Sequence, residues 1–501
     1  MLRTACVLHC IGSTTSRDGE SLARASTSNK AVQLTSRAAV TRARSTASPR
    51  YVLCSASARS PSIDVPGGKL TVFAASVAGL EGPARLRRGR PPQALALRAA
   101  IILDSAEAWN ARLVQHQHHN PDAGHAAHVS YRKCLGARLP EDTEVSCHVG
   151  NEVFTASNAS SATFGEGRLV RFENDELRHD FVHCVLGAPA RRWRQPPGPP
   201  RRLHMQLSFD IPHFGRMGAL PLELCRVALP LRRISFCSQP LYGLGTLRQE
   251  LPWVVDDWLD YHLDHLGFQH AELYDVDGSL HSILERRAAK RARNPRGTAT
   301  ISYWKAWPTN LSVALADASR IHPYCTETWA YAHCLTTHRA LSRWVMLLHA
   351  PDEFVMSPGR ERRGELLRVL DGIEADLPED EPLTLLRVKA SSFARADTVN
   401  DAFVTSRGAI IAMSQWRGEQ RYLHTPVLDP ALCLCAGPHT CYAEADSDFP
   451  GMVQEIPPKD LVVHHYVEML ARNVGRCARQ HKSCIVPDDS AFWLPRVLQG
   501  M

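Results

Sequence analysis

From about residue 230 the chain alternates short apolar runs with segments whose apolar positions recur at helical spacing. Residues 233–243 read as a strand that hands on to a loop at Pro240. Leu251, Val254, Trp258, Tyr261 and His265 then share one stripe, which predicts an amphipathic helix over 251–266. Pro252 falls in its first turn and Gly267 supplies its stop. Residues 271–274 form a second strand closing on Asp275-Val276-Asp277-Gly278-Ser279, and strand, helix and strand in that order make a βαβ unit. A helix with a basic end over 280–293, a strand over 298–304 and a helix over 328–344 come next. The last feeds the apolar run Trp344 to Leu348, which passes directly into His349-Ala350-Pro351-Asp352-Glu353-Phe354. A short apolar run bounded by a proline and acids reads as a buried strand. It presents carboxylates at its C-terminal edge, where open α/β sheets bind ligands. The alternation predicts an α/β fold with a doubly wound, mainly parallel sheet.

Before residue 230 the pattern changes to period two. Strands are expected over 69–77 and 95–103, with alternating segments around 145–154, 169–172 and 181–186. They predict a smaller, mostly β, cysteine-containing amino-terminal domain over 66–190. RRWRQPPGPPRR, 191–202, reads as a stiff, exposed basic linker. The larger unit is then expected over 203–485, with 1–65 as a leader or targeting segment and 486–501 as a tail.

Charge alters this picture little. The formal net charge is +7, but residues 1–60 hold nine basic and two acidic residues, so the remaining 441 residues balance at 49 of each. A long-range field for nucleic acid over the folded part is therefore not expected. Residues 1–60 are rich in Ser, Thr, Ala and Arg, a composition that resembles an organellar transit peptide and cannot build a core. No run of eighteen apolar residues occurs, so no transmembrane helix is predicted.

Fifteen cysteines are present and none forms a CxxC pair, which argues against zinc ribbons and thioredoxin-like sites. Cys433, Cys435 and Cys441 lie close to His439 and suggest either a metal knuckle or disulfides in a secretory compartment. Two sequons, at Asn158 and Asn310, fit a luminal chain. Five histidines between 115 and 128 sit among helix-breaking residues and read as a polar loop.

Taken in order, FCSQPLYG, ELPWVVDDWLDYHLDHLGFQHAELYDVDGS, WAYAHC, WVMLLHAPDEF, LDPALCLCAGPHTCY and VVHHYVEM resemble glycosyltransferase family 92 over roughly residues 230–475. That family comprises metal-dependent, inverting sugar transferases of the GT-A fold, including galactosyltransferases. The resemblance implies a hexosyltransferase moving a sugar, galactose foremost, from a nucleotide donor such as UDP-galactose to a glycan acceptor, with Mn²⁺ or another divalent ion. It also implies a Golgi or secretory-pathway membrane location, whereas the leader composition suggests an organelle. Family members carry Asp-x-Asp-Glu-Phe where this chain has Ala350-Pro351-Asp352-Glu353-Phe354. Asp352 matches the metal-coordinating acid, while Ala350 stands where the first acid is expected and His349 precedes it. His465 resembles the family's late histidine as a further metal or diphosphate contact, and His439 resembles another. Asp275 resembles a nucleotide-facing acid. An inverting transfer needs a general base. Glu353, Asp429, Glu444 and Asp446 are all open to that role, with Glu353 adjacent to the metal turn. Trp304, Trp307, Tyr324 and Trp329 are aromatic candidates for stacking on a sugar. The missing acid leaves a second possibility, an inactive glycan-binding or scaffold relative.

Overall fold

The computed structural model describes residues 50–54, 61–65, 68–79, 95–104, 139–140, 142–150, 163–173, 178–185, 201–228, 230–241, 243–275, 278–293, 300–304, 324–358, 362–377, 383–394, 406–409, 411, 414, 416–417, 424–433, 435–437, 440–442, 452–466, 486–487 and 494–499. The first ten strands form one sheet. They are β1 (Tyr51–Leu53), β2 (Ser62–Val65), β3 (Gly68–Gly79), β4 (Leu95–Asp104), β5 (Glu144–Gly150), β6 (Thr163–Glu173), β7 (Arg178–Val185), β8 (Arg202–Ile211), β9 (Gly215–Arg216) and β10 (Leu220–Arg226). The path runs β1-β10-β8-β5-β6-β7-β4-β3-β2. Because β1 also pairs antiparallel with β3, the sheet curls into a nearly closed barrel. Period-two alternation fills its interior: Leu203, Met205, Leu207, Phe209 and Ile211 of β8 face Leu220, Leu222 and Leu224 of β10 in one buried cluster. Disulfides Cys54–Cys225 and Cys147–Cys184 cross-link it. The boundary expected at residue 203 falls inside this barrel, which takes in β8 to β10 and also β1 and β2 from the segment assigned to the leader.

The second sheet begins with β11 (Arg232–Leu241). Helices α1 (Leu244–Glu250) and α2 (Val254–Leu259) lead to β12 (His270–Asp275), α3 (His281–Arg293), β13 (Thr300–Trp304), α4 (Tyr324–His338) and β14 (Ser342–Leu347). The expected helix over 328–344 thus stops at His338, and residues 342–344 already belong to the strand. Next come β15 (Glu353–Met356), α5 (Glu365–Asp376), β16 (Leu383–Ala394), β17 (Trp416–Arg417) and β18 (His424–Leu428). The chain finishes with β19 (Cys435–Gly437), β20 (Thr440–Tyr442), β21 (Met452–Ile456), β22 (Val462–His465), β23 (Val486–Pro487) and α6 (Leu494–Gln499). The four strands β13-β12-β11-β14 pair in parallel. Beyond β14 the sheet turns antiparallel through β18 to the twelve-residue β16, on which β17, β21 and β22 also assemble.

The doubly wound, mainly parallel α/β fold expected from the alternation, and with it the GT-A architecture, is overturned. Among the described residues strand outweighs helix, 49% against 26%, in a barrel-like sheet and a curled half-barrel. The physical reason lies in strand pairing. Apolar periodicity shows that a segment is a strand and which face is buried, but the partner and its direction are settled by long-range packing.

Helix α4 joins the two sheets. Its Trp329, Ala330, Tyr331, Ala332 and Leu335 pack in one cluster with Phe73, Ala100, Ile102 and Phe181 of the barrel and with Val345 and Leu347 of β14. Arg98 of β4 donates from Nη1 to the carbonyls of Pro430 at 3.1 Å and Cys433 at 2.9 Å. Arg339 returns the contact, with Nη1 3.0 Å from the Ala96 carbonyl. Cys237–Cys334 ties β11 to α4, and Cys433–Cys441 closes the 433–441 segment as a disulfide, in place of a metal knuckle.

Candidate functional site

The turn after β14 is gripped on several sides. Gln239 N–H of β11 donates to the His349 carbonyl at 2.9 Å, and Glu353 N–H closes the turn onto the Ala350 carbonyl at 3.0 Å. The predicted amphipathic helix holds the far side. It runs as α2 and then continues as a π-helix over Asp260–Leu266, a wider coil that re-aims side chains and recurs at functional sites. Trp258 donates from Nε1 to the Glu353 carbonyl at 2.9 Å. His262 donates from Nδ1 to the Trp258 carbonyl at 2.7 Å and accepts the Val355 N–H on Nε2 at 3.0 Å. That pattern fixes the tautomer, and burial, its largest influence, holds the imidazole neutral with a pKa pushed down to about 3. Two side chains of one helix therefore clamp both ends of Glu353-Phe354-Val355. The helix stops at Gly267, whose φ of 109° is left-handed and whose added Cβ would lie 3.1 Å from Gly364 Cα.

Antiparallel pairing of β15 with β22 sets Glu353 opposite His465 and Phe354 opposite His464. Alternation along β22 then separates the two histidines. His464 is buried and stacks on Phe393, with ring centroids 4.2 Å apart. His465 turns to the other face, where its Nε2 lies 3.4 Å from Asp352 Oδ2 and its Nδ1 4.0 Å from Glu353 Oε1. Both His465 and Asp352 stay partly exposed, at 32% and 22%. Tyr466 N–H donates to the Asp352 carbonyl at 2.8 Å, which locks this register.

Beneath them lies a buried charge cluster. His349 bonds Glu353 twice, through Nδ1 to Oε1 at 2.7 Å and through its backbone N–H to Oε2 at 3.0 Å. On its other side, Nε2 is 3.6 Å from Oε1 of Glu327, which also accepts the Tyr331 hydroxyl. Burial opposes charge on His349, but Glu353, Glu327 and Asp352 together outweigh it and raise its pKa to about 9. Burial likewise opposes ionisation of Glu353. The His349 imidazolium overcomes this and holds that carboxyl at about 2. Glu327 goes the other way: burial pushes its pKa up and the charge of Glu353 adds to the rise, beyond what His349 and Tyr331 offset. Burial lowers the pKa of His465, yet Asp352 and Glu353 carry it above its ordinary value.

Asp352, Glu353, His349 and His465, four of the residues singled out in the sequence, are thus brought together. Glu353 does not suit the role of general base. Both of its oxygens are committed to His349, and a carboxylate titrating near 2 is a poor proton acceptor. Its two hydrogen bonds hold His349 in place instead. Asp275 is spent on the turn that starts α3: its carboxylate accepts the N–H groups of Gly278, Ser279 and Leu280 at 2.9, 3.2 and 3.0 Å. Asp429 is buried against Arg343, 2.5 Å away, and the Ala431 N–H. Trp329 belongs to the core between the sheets. Trp304 ends β13 and Tyr324 begins α4. His439, Glu444, Asp446, Trp307, both sequons and the histidines of 115–128 lie outside the described residues. Sequence reasoning missed Glu327, Trp258 and His262 as parts of the site. The available signal for Glu327 was that it is the lone acid of its helix and falls in the first turn.

Asp352 Oδ2 and His465 Nε2 fit a divalent ion. Two ligand atoms each about 2.0–2.1 Å from one cation lie roughly 3–3.4 Å apart, and partial exposure leaves further positions open to a ligand. No protein-family model matches this chain, and no curated protein matches it.

Proposed function

We propose that the protein is a metal-dependent glycosyltransferase acting on a nucleotide sugar. The observation that carries this reading is the approach of His465 on β22 to Asp352, just before β15, at 3.4 Å, beside a buried Glu353–His349–Glu327 cluster. It does not rest on the overall architecture, since sites, not folds, carry activity. Asp352 and His465 would hold Mn²⁺ or a similar ion, which when bound supplies Lewis-acid stabilisation of a departing diphosphate. Glu353 faces the far nitrogen of His465 and so favours the tautomer whose Nε2 points at Asp352. His349, kept positive between two glutamates, adds fixed positive charge under the turn. UDP-galactose is the proposed donor and a glycan the acceptor. Four disulfides among the described residues support a secretory compartment.

The test is calorimetric titration of UDP with and without Mn²⁺ on the wild type and on Asp352→Ala. Mn²⁺-dependent binding that weakens at least about tenfold in the variant is expected. Equal, metal-independent binding to both proteins overturns the reading. One observation favours a second reading, an inactive glycan-binding relative: Ala350, in the position of the first acid, packs against the core. Metal-dependent UDP-galactose turnover by the wild type excludes it.

A further inference from the structure

A second constellation lies on the opposite side of β12 from the helix α2 packing, under the end of α4. His270 and Glu272 are two residues apart on β12 and so project to the same face. His338, the last residue of α4, meets them there, and all three are buried. Their donor atoms lie within 4.8 Å of one another. Both imidazoles point the same nitrogen inward. His270 Nε2 is 3.2 Å and His338 Nε2 3.7 Å from the same Glu272 oxygen, Oε2. The outward nitrogens are engaged by hydroxyls, His270 Nδ1 with Thr300 Oγ1 at 2.7 Å and His338 Nδ1 with Ser342 Oγ at 2.8 Å. Ser342 Oγ is itself held by Ser235 Oγ at 2.7 Å.

Two features separate this arrangement from an ordinary buried hydrogen-bond network. His270 Nε2 makes a long hydrogen bond to Glu272 Oε2 at 3.2 Å, while the buried His338 Nε2, 3.7 Å from the same oxygen, has no hydrogen-bond partner among the described residues. The two inward distances, 3.2 and 3.7 Å, bracket the separation of ligands on one small ion. Tetrahedral ligands about 2.0–2.1 Å from zinc stand roughly 3.3 Å apart. Each Nδ1 has a hydroxyl beside it that can accept its N–H, leaving Nε2 as the free ligand atom when an ion binds.

We propose that His270, Glu272 and His338 form a structural site for Zn²⁺ or a similar borderline divalent ion. The site is closed to solvent by α4 and is filled as the chain folds. Two imidazoles and one carboxylate form a borderline nitrogen-and-oxygen set that suits zinc better than calcium or magnesium. The ion would cross-link β12 to the end of α4, the helix that joins the two sheets. It is independent of the Asp352–His465 pair. A neighbouring set is excluded as the ligand group in this state, because Cys237 and Cys334, which also approach His338, are bonded to each other.

The full chain is to be expressed with zinc in the medium, purified without reductant, and its metal content measured by mass spectrometry. The same protein refolded with Co²⁺ then gives a visible spectrum. Expected are about one zinc per chain, retained in Asp352→Ala and lost in Glu272→Gln, and cobalt bands of four-coordinate nitrogen-and-oxygen ligation. Because Glu272→Gln can fail to fold, His338→Cys is a second variant, whose new sulfur ligand should add an intense near-ultraviolet thiolate-to-cobalt band. A metal-free oxidised wild type overturns the proposal. So does zinc that disappears in Asp352→Ala, or zinc that binds only after reduction of Cys237–Cys334.

Discussion

His349 shows how one residue's surroundings set the pH behaviour of the site. Its folded pKa, about 9, stands above its ordinary value of about 6.5, because two glutamates flank it. A raised histidine contributes stability that is fully present below about 6.5 and is lost as pH rises through about 9. Glu353, held at about 2, contributes stability present above about 4.5 that is lost as pH falls toward 2. Urea unfolding followed from pH 6.5 to 9.5 should therefore show declining stability, and His349→Gln should flatten that decline. An equal decline in the variant would show that another group is responsible. The buried neutral histidines act in the opposite sense. His262 and His333 have pKa values depressed by burial to about 3 and 4, so their contribution is present above about 6.5 and is lost on acidification. Moderate acid is thus expected to unfold this protein before Glu353 protonates, and fluorescence-detected unfolding between pH 6.5 and 4 checks it.

At the scale of elements, the π-helical turn after α2 is the device that aims the site. Trp258 and His262 together hold the two ends of the first β15 residues. Replacing His262 by Leu removes the acceptor of the buried Val355 N–H, which costs about 1–3 kcal/mol. The same substitution should weaken Mn²⁺-dependent UDP binding although no ligand is touched, because β15 begins at Glu353, directly after Asp352. Chemical denaturation and titration on one protein sample test both halves. Gly267 ends this helix at φ 109° against Gly364. Gly267→Ala should lose about 1–3 kcal/mol by strain, and a thermal melt indistinguishable from wild type would show that the close approach relaxes freely.

Over the whole molecule, barrel and second sheet share a core. Arg98 and Arg339 reach across to opposite carbonyls, and α4 packs on both sheets. Unfolding is expected as one calorimetric transition rather than the two that a hinged pair of domains would give. Arg98→Ala leaves two buried carbonyls without their donor and should cost about 1–3 kcal/mol, lowering that single transition. Two resolved transitions in the wild type would mean that the shared core is too weak to couple them.

Local pattern was legible where local physics decides. The period-two segments appear as β3, β4, β5, β6 and β7, the helical stripe ends at Gly267, and the apolar run into Ala350-Pro351-Asp352 is a strand meeting an acidic turn. Each of these follows from which face of a short segment must avoid water. The choice between His464 and His465 required a pairing register, since alternation says only that they point opposite ways. Glu327, Trp258 and His262 became visible as parts of the site only once α2 and α4 had packed against the 349–355 turn. The α/β expectation failed for the same reason: alternating strands and helices describe β11 to β14 but carry no information on how β16, β18 and β22 add antiparallel and parallel partners. By itself, the sequence determined the strands, the helical stripe and the residue types that could carry chemistry. The tertiary structure alone decided their neighbours, because contacts between distant residues depend on which burial satisfies the whole chain at once.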